Sequence, residues 1–250
     1  MHLQPGGGLS IAAIVLLAAS GAWADGADTP VAAHLDAPQI VARMEAHTRT
    51  QNQQLKQYRS LRVYQVEYRG YHARIAARME VEVRFDAGSG KSFRIVSESG
   101  SPFLLNKVLK RAVAGEEEAS HDGASTALTP ENYRFTLLGV DEQQGRPAYV
   151  LQVEPVKPAK FLYRGRIWVD AQEFAVTKID AEPAKSPSIW ISRTTIRNTS
   201  EVTDGFWLPS QTESRTWVRI GGTAELTIDY GTYQVTPADP QPEAAASGGL

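Results

Sequence analysis

The chain has 250 residues, 42% hydrophobic and 22% charged, with 26 Lys/Arg against 28 Asp/Glu, a formal net charge of -2 and no cysteine. That balance gives no whole-chain electrostatic case for nucleic-acid binding. The lack of cysteine excludes disulfides, thiolate metal sites, Fe–S clusters and a cysteine nucleophile, and the length allows one large β-rich domain or two small ones.

Residues 9–19 form an uncharged apolar run of 11, shorter than the ~20 residues a membrane-spanning helix needs. The run reads as the core of a secretory signal. Ala22-Trp23-Ala24 supplies the small-x-small pattern before a cleavage site, so residues 1–24 are predicted to leave and the mature chain to start at Asp25. The extreme N-terminus offers only its amino group and His2 as positive charge, which keeps an uncleaved anchor, or a start codon placed wrongly, as the alternative. No cysteine follows the run, so a lipoprotein-type lipid anchor is not expected. An exported chain without cysteine must be held together by its core.

After an Ala/Asp-rich linker (25–35), Asp36 is a candidate N-cap and Pro38 lies in a first turn. Ile40, Val41, Met44 and Leu55 fall at helix-compatible spacings, which predicts a helix over 38–56. From Leu61 the period becomes two. A short strand (61–68) leads, across a turn near Gly70, to a long one in which Ile75, Ala77, Met79, Val81, Val83 and Phe85 alternate with Arg74, Arg78, Glu80, Glu82 and Arg84. The turn 86–90 then gives a third strand, 91–97. A second helix opens at Ser101-Pro102 and carries Leu104, Leu105, Val108, Leu109, Ala112 and Val113 on one broad face, with Lys107, Lys110 and Arg111 opposite. Residues 115–130, poor in bulky apolar side chains, read as a mobile loop. Seven further strands follow, near 132–140, 148–154, 161–170, 174–181, 188–202, 207–220 and 223–235. Their short connections demand antiparallel neighbours. The expected fold is mainly β: one curled antiparallel sheet of about ten strands with two helices, in a single domain over 36–235, before a disordered tail at 236–250.

Gly88-Ser89-Gly90-Lys91-Ser92 has the end of a phosphate-binding loop, but Phe85 stands where that motif needs glycine and the loop joins two strands, so it reads as a hairpin turn. The five histidines (His2, His34, His47, His72, His121) show no metal-ligand spacing, and no Gly-x-Ser-x-Gly elbow occurs. Catalytic residues, metal ligands and cofactors are therefore not expected. Glu116, Glu117 and Glu118 read as solvated loop residues, and Asn198-Thr199-Ser200 is a sequon that matters only in a eukaryotic secretory pathway. Trp168, Trp190, Trp207 and Trp217 crowd the C-terminal strands with Tyr163, Phe174, Phe206, Tyr230 and Tyr233. They supply either a large filled core or the lining of an apolar pocket in a curled sheet.

The order of elements, with Ser101-Pro102-Phe103-Leu104-Leu105, the paired segments 163–170 (containing Trp168-Val169-Asp170) and 174–179, Phe206-Trp207-Leu208-Pro209 and Thr227-Ile228-Asp229-Tyr230, resembles the periplasmic lipoprotein carriers of the LolA type and their outer-membrane lipoprotein-sorting relatives. The resemblance implies an unclosed β-barrel around helices, a periplasmic location, no catalysis, and an apolar cavity for the acyl chains of a lipid or lipoprotein. It places Met79, Val81, Val83, Phe85, Leu104, Leu105, Val108 and Leu109 in the cavity lining, to which Trp168 and Trp190 are added from the aromatic set. Where the carriers have a basic, proline-containing segment, this chain has the Gly/Ser turn at 86–91. The same architecture serves RseB-like envelope-sensing regulators, so the alternative function is a regulatory binding module acting through a membrane-protein partner. A monomer without nucleic-acid partners is expected on either reading.

Overall fold

The computed structural model describes residues 35–71, 74–121, 123–186, 190–219 and 221–238. The expected signal segment, nearly all of the linker, His2, His34, His72 and most of the C-terminal tail lie outside the described residues. Helix α1 (Ala37–Gln54) starts as its sequence dictates: Asp36 accepts the backbone N–H of Gln39 at 2.9 Å while the Gln39 side chain accepts that of Asp36 at 3.0 Å, a reciprocal capping box reinforced by Pro38. It buries Ile40, Val41 and Met44.

At Leu55 the backbone turns extended and strand β1 (Leu55–Arg69) begins without a loop, six residues before the alternation becomes legible. The early half is hidden because its buried row contains Ser60 and Arg62, each only 2% exposed, among Tyr58, Tyr64 and Val66. β1 pairs throughout with β2 (Arg74–Asp86), which pairs with β3 (Gly90–Gly100). After the helical segment come β4 (Tyr133–Gln143), β5 (Arg146–Pro155), β6 (Tyr163–Asp170), β7 (Val176–Pro183), β8 (Ile191–Thr203), β9 (Phe206–Val218), β10 (Thr223–Asp229) and β11 (Tyr233–Pro237). The final expected strand is thus two. The chain breaks at Gly231, in a positive-φ conformation where a Cβ would run into the carbonyl of Leu61, so that β10 pairs the second half of β1 and β11 the first.

All eleven strands form one antiparallel sheet in the order β3-β2-β1-β10-β9-β8-β7-β6-β5-β4, with β11 beside β1. The sheet is not closed, and β3 and β4 are its edges. This is the unclosed barrel expected from the sequence. Cross-strand partners share a face, so Tyr64↔Met79, Arg62↔Val81 and Ser60↔Val83 place these six on the inner side, while Leu61↔Glu82 and Gln65↔Arg78 lie outside. The outer face is wet and ion-paired. Its most enclosed member, Glu82, is 4% exposed because Arg59, Arg84 and Arg94 cover it, and their hydrogen bonds, Arg94 foremost, pull its carboxyl down to about 2. A further fixed point is the turn after β6. There Asp170, 1% exposed, accepts the N–H groups of Gln172 (2.9 Å) and Glu173 (2.7 Å) and the Arg146 guanidinium (2.6 and 3.1 Å).

Residues 115–121 and 123–126, within the expected mobile loop 115–130, are helical and correct that expectation. The helical segment runs from α2 (Pro102–Leu104) through a π-turn (Leu105–Leu109) into α3 (Lys110–His121), followed by the short α4 (Gly123–Thr126). Glu116, Glu117 and Glu118 are therefore helical. Ala112 to Ala119 is rich in strong helix formers, and two of the glutamates gain ion-pair partners, Glu116 with Arg62 and Glu118 with Lys160. Apolar content was the wrong guide there.

Candidate functional site

Three features place the helical segment on the inner face of β1 and β2. Gly100 ends β3 at positive φ, packed so tightly on Ala76 and Ala77 that a Cβ would collide with their backbone. Ser101 then donates its N–H to the Ala76 carbonyl at 2.8 Å and caps the helix, and Pro102 occupies the first turn. A π-turn widens the helix at Leu105–Leu109, a feature frequent at functional sites. It delivers Leu104, Leu105, Leu109 and Val113 into one core cluster with Met79, Val81, Val83, Tyr58, Tyr64 and Val66. Phe85 and Val108 pack partly buried against that cluster.

Eight of the ten side chains expected to line a cavity are thus together: Met79, Val81, Val83, Phe85, Leu104, Leu105, Val108 and Leu109. The two tryptophans are not. Trp168 lies on the outer side of β6 in a small cluster with Ala148 and Val150, its Nε1 donating to Asp141 at 2.9 Å and Lys178 4.2 Å over its ring. Trp190, just before β8, is 60% exposed. Aromatic content marks apolar area but not the face it sits on, and Trp168 follows Ile167 into the opposite phase of the strand.

At the heart of the cluster lies a polar group that composition gave no reason to expect. Arg62 points inward from β1. Its Nη1 donates to Glu116 Oε2 of α3 at 2.7 Å, and the Tyr64 hydroxyl donates to Glu116 Oε1, also at 2.7 Å. Tyr230 offers its ring face 4.4 Å from the guanidinium carbon. Burial works against the Arg62 charge, but Glu116 and the surrounding tyrosines outweigh it and raise its pKa. Burial, then Glu116, pushes the Tyr64 hydroxyl up, and burial takes Tyr230 to about 12. Glu116 therefore clasps the helical segment to the sheet through a charge that sits in the apolar interior. One signal could have disclosed it: Arg62 occupies the buried phase of Tyr58-x-Ser60-x-Arg62-x-Tyr64-x-Val66, where a charge needs a partner.

Beyond this cluster the inner rows of β8 and β9 are half-buried and rich in hydroxyls. Thr194 bonds Thr216 at 3.0 Å, Asn198 bonds Thr212 at 3.1 Å, and Thr212 meets the Tyr230 hydroxyl at 3.1 Å. The concave face is therefore amphipathic. Surface grooves of about 450 and 400 Å³ lie elsewhere, lined chiefly by charged and polar side chains of the outer face, among them Glu67, Arg78, Glu225, Arg197 and Glu213. Among the described residues no three His, Asp or Glu side chains converge as metal ligands, and no helix is long and apolar enough to cross a membrane.

The class these features define is an open antiparallel half-barrel whose concave face is covered by a clasped helical segment. No family model matches the sequence and no curated protein matches it. Among solved structures, the chain is similar to a DUF1329 family protein from Desulfovibrio piger (14% identity, 78% of this chain and 92% of that one, TM-score 0.40). It is also similar to a LolA superfamily protein from Nitrosomonas europaea (11%, 82% and 96%, TM-score 0.37), and to a domain assigned to outer membrane lipoprotein sorting from Vibrio parahaemolyticus (11%, 80% and 93%, TM-score 0.40). The resemblance seen in the sequence has its counterpart in these structures. With TM-scores below 0.5, none of them carries over a site or a function.

Proposed function

We propose that this protein is an exported, periplasmic carrier that binds the acyl chains of a lipid or lipoprotein between its helical segment and the concave face of the sheet, and moves them between envelope membranes. The observation that carries this reading is the construction of the segment. Its apolar stripe covers the inner face of β1 and β2, and among the described residues one ion pair holds it from the interior, Arg62–Glu116, while Lys110–Glu98 and Lys160–Glu118 pair only at its exposed rim. A core needs no such tether. A cover that must lift needs a contact that is specific in place and re-formed on closing. Lifting exposes Met79, Val81, Val83, Leu105 and Leu109, and an acyl chain laid there gains ~0.8 kcal/mol for each CH2 withdrawn from water.

Native mass spectrometry of the exported protein purified without detergent, followed by lipid extraction, tests the reading. A stoichiometric acylated species is expected, and Leu105→Asp should abolish its retention while the sheet stays folded. A clean apo mass, together with no uptake of added lipid, would overturn it. The regulatory alternative would then gain weight. It finds support in the outward face of the segment, where Phe103 is 62% exposed at one end of a row that continues through exposed Lys107 and Arg111, a mixed apolar and basic surface suited to a membrane-protein partner.

A further inference from the structure

Three polar groups at one corner of the concave face remain without use in the carrier reading. Arg62 Nε and Ser60 Oγ are both buried and have no hydrogen-bond partner, although an unmade buried hydrogen bond is costly. The third is Lys91. The turn at 86–90 closes as a plain hairpin, its Asp86 carboxylate accepting the N–H groups of Gly88 and Ser89, and it sets Lys91 opposite Phe85, which is itself opposite Tyr58. Lys91 therefore faces inward, with no hydrogen bond or ion pair among the described residues. Burial and then the Arg62 charge push its ammonium down, the signature of a cation short of counter-charge. Glu116 partly offsets both effects on Lys91 while it pairs with Arg62, so two cations share one carboxylate.

We propose that Lys91, Arg62 Nε and Ser60 Oγ form a headgroup subsite for one anionic group, a carboxylate or a phosphate, of the amphiphile whose chain lies on the apolar cluster. The proposal rests on the carrier reading and deepens it: the cargo is a singly anionic amphiphile rather than a neutral one. An anion there supplies the missing counter-charge, an acceptor for the guanidinium Nε and a partner for the hydroxyl, through hydrogen bonds strengthened by full charges. The stacked rings of Tyr58 and Phe85, 5.2 Å apart, share the cross-strand row of Lys91, and Ser60 and Arg62 stand in the next two rows along β1.

The test is isothermal titration of the full mature chain with laurate, methyl laurate and inorganic phosphate, on wild type, Lys91→Met and Lys91→Arg. Wild type is expected to prefer laurate over its uncharged ester by about tenfold or more. Lys91→Met should bring the ratio close to one and Lys91→Arg should restore it. Equal binding of the two by wild type, or a ratio untouched by Lys91→Met, overturns the subsite while leaving the carrier reading intact. If neither amphiphile binds but phosphate does, and Lys91→Met abolishes that binding, the corner takes a free anion. The headgroup assignment then falls together with the carrier reading.

Discussion

Glu116→Gln isolates the clasp. Glutamine keeps the length of the side chain and an oxygen for the Tyr64 hydroxyl, but removes the charge that faces Arg62 at 2.7 Å. Breaking a buried ion pair by neutralising one partner costs about 3–5 kcal/mol, because the other charge is left in a poor solvent. Two features lower that figure here. The Glu116 side chain is 28% exposed, and Arg62 keeps the face of Tyr230 at 4.4 Å, which places the loss at about 2–3 kcal/mol. The loss falls on the contact between segment and sheet, so it should appear as opening of the segment. About 2.7 kcal/mol corresponds to roughly a hundredfold in that equilibrium. Hydrogen exchange read by mass spectrometry should show amides of Leu105–Leu109 and Lys110–His121 exchanging about a hundredfold faster in the variant, with β5, β6 and β7 unchanged. Unchanged exchange would refute the clasp. A uniform rise over the whole sheet would show that the pair stabilises the fold globally and does not hold a cover.

Two further predictions concern the frame that positions the site. Asp170→Asn removes the charge that holds two backbone N–H groups and the Arg146 guanidinium, and should cost about 2–4 kcal/mol, read as a fall in thermal midpoint. Although burial opposes its charge, hydrogen bonds from Arg146, Glu173 and Gln172 hold the Asp170 carboxyl below the usual aspartate range. Its contribution is therefore fully present above the unfolded-state value near 4 and is lost as pH falls through the lower folded-state value. Wild type should lose stability across that acidic window more steeply than Asp170→Asn, and parallel curves would contradict the assignment. Gly100→Ala forces a Cβ against the Ala76 carbonyl at positive φ and should destabilise by about 1–3 kcal/mol. Because the strain sits where β3 hands over to the cover, fluorescence of an apolar dye should rise in this variant before the sheet unfolds.

Much of the fold was legible because its signals are local. The capping box at Asp36 and Gln39, the alternation from Ile75 to Phe85, the hairpin at 86–90 and the stripe from Leu104 to Val113 each report a rule that operates within a few residues. What escaped depends on partners far away in sequence. Glu116 lies in a polar run that reads as loop until Arg62, 54 residues earlier, is placed beneath it. Ser60 and Arg62 hid the start of β1 because buried polar residues mimic an exposed row. Trp168 and Trp190 were assigned by their bulk, whereas the phase of the strand decides which face a side chain takes. The buried rows of β2 and the helical segment could be named because both stripes are apolar without interruption. The polar heart between them could not.

The chain contains three methionines, Met1, Met44 and Met79, and the two in the folded body are well separated in role. Met79 is fully buried beneath the helical segment, and Met44 is buried by α1. The most direct test of the central claim is therefore a methyl-labelled methionine spectrum recorded while stearate carrying a nitroxide on its chain is titrated in. Paramagnetic broadening should strike the Met79 methyl first and most strongly, and should be reversed by unlabelled stearate. A Met79 signal that stays sharp while the labelled lipid is bound would place the acyl chain somewhere other than under the clasped segment.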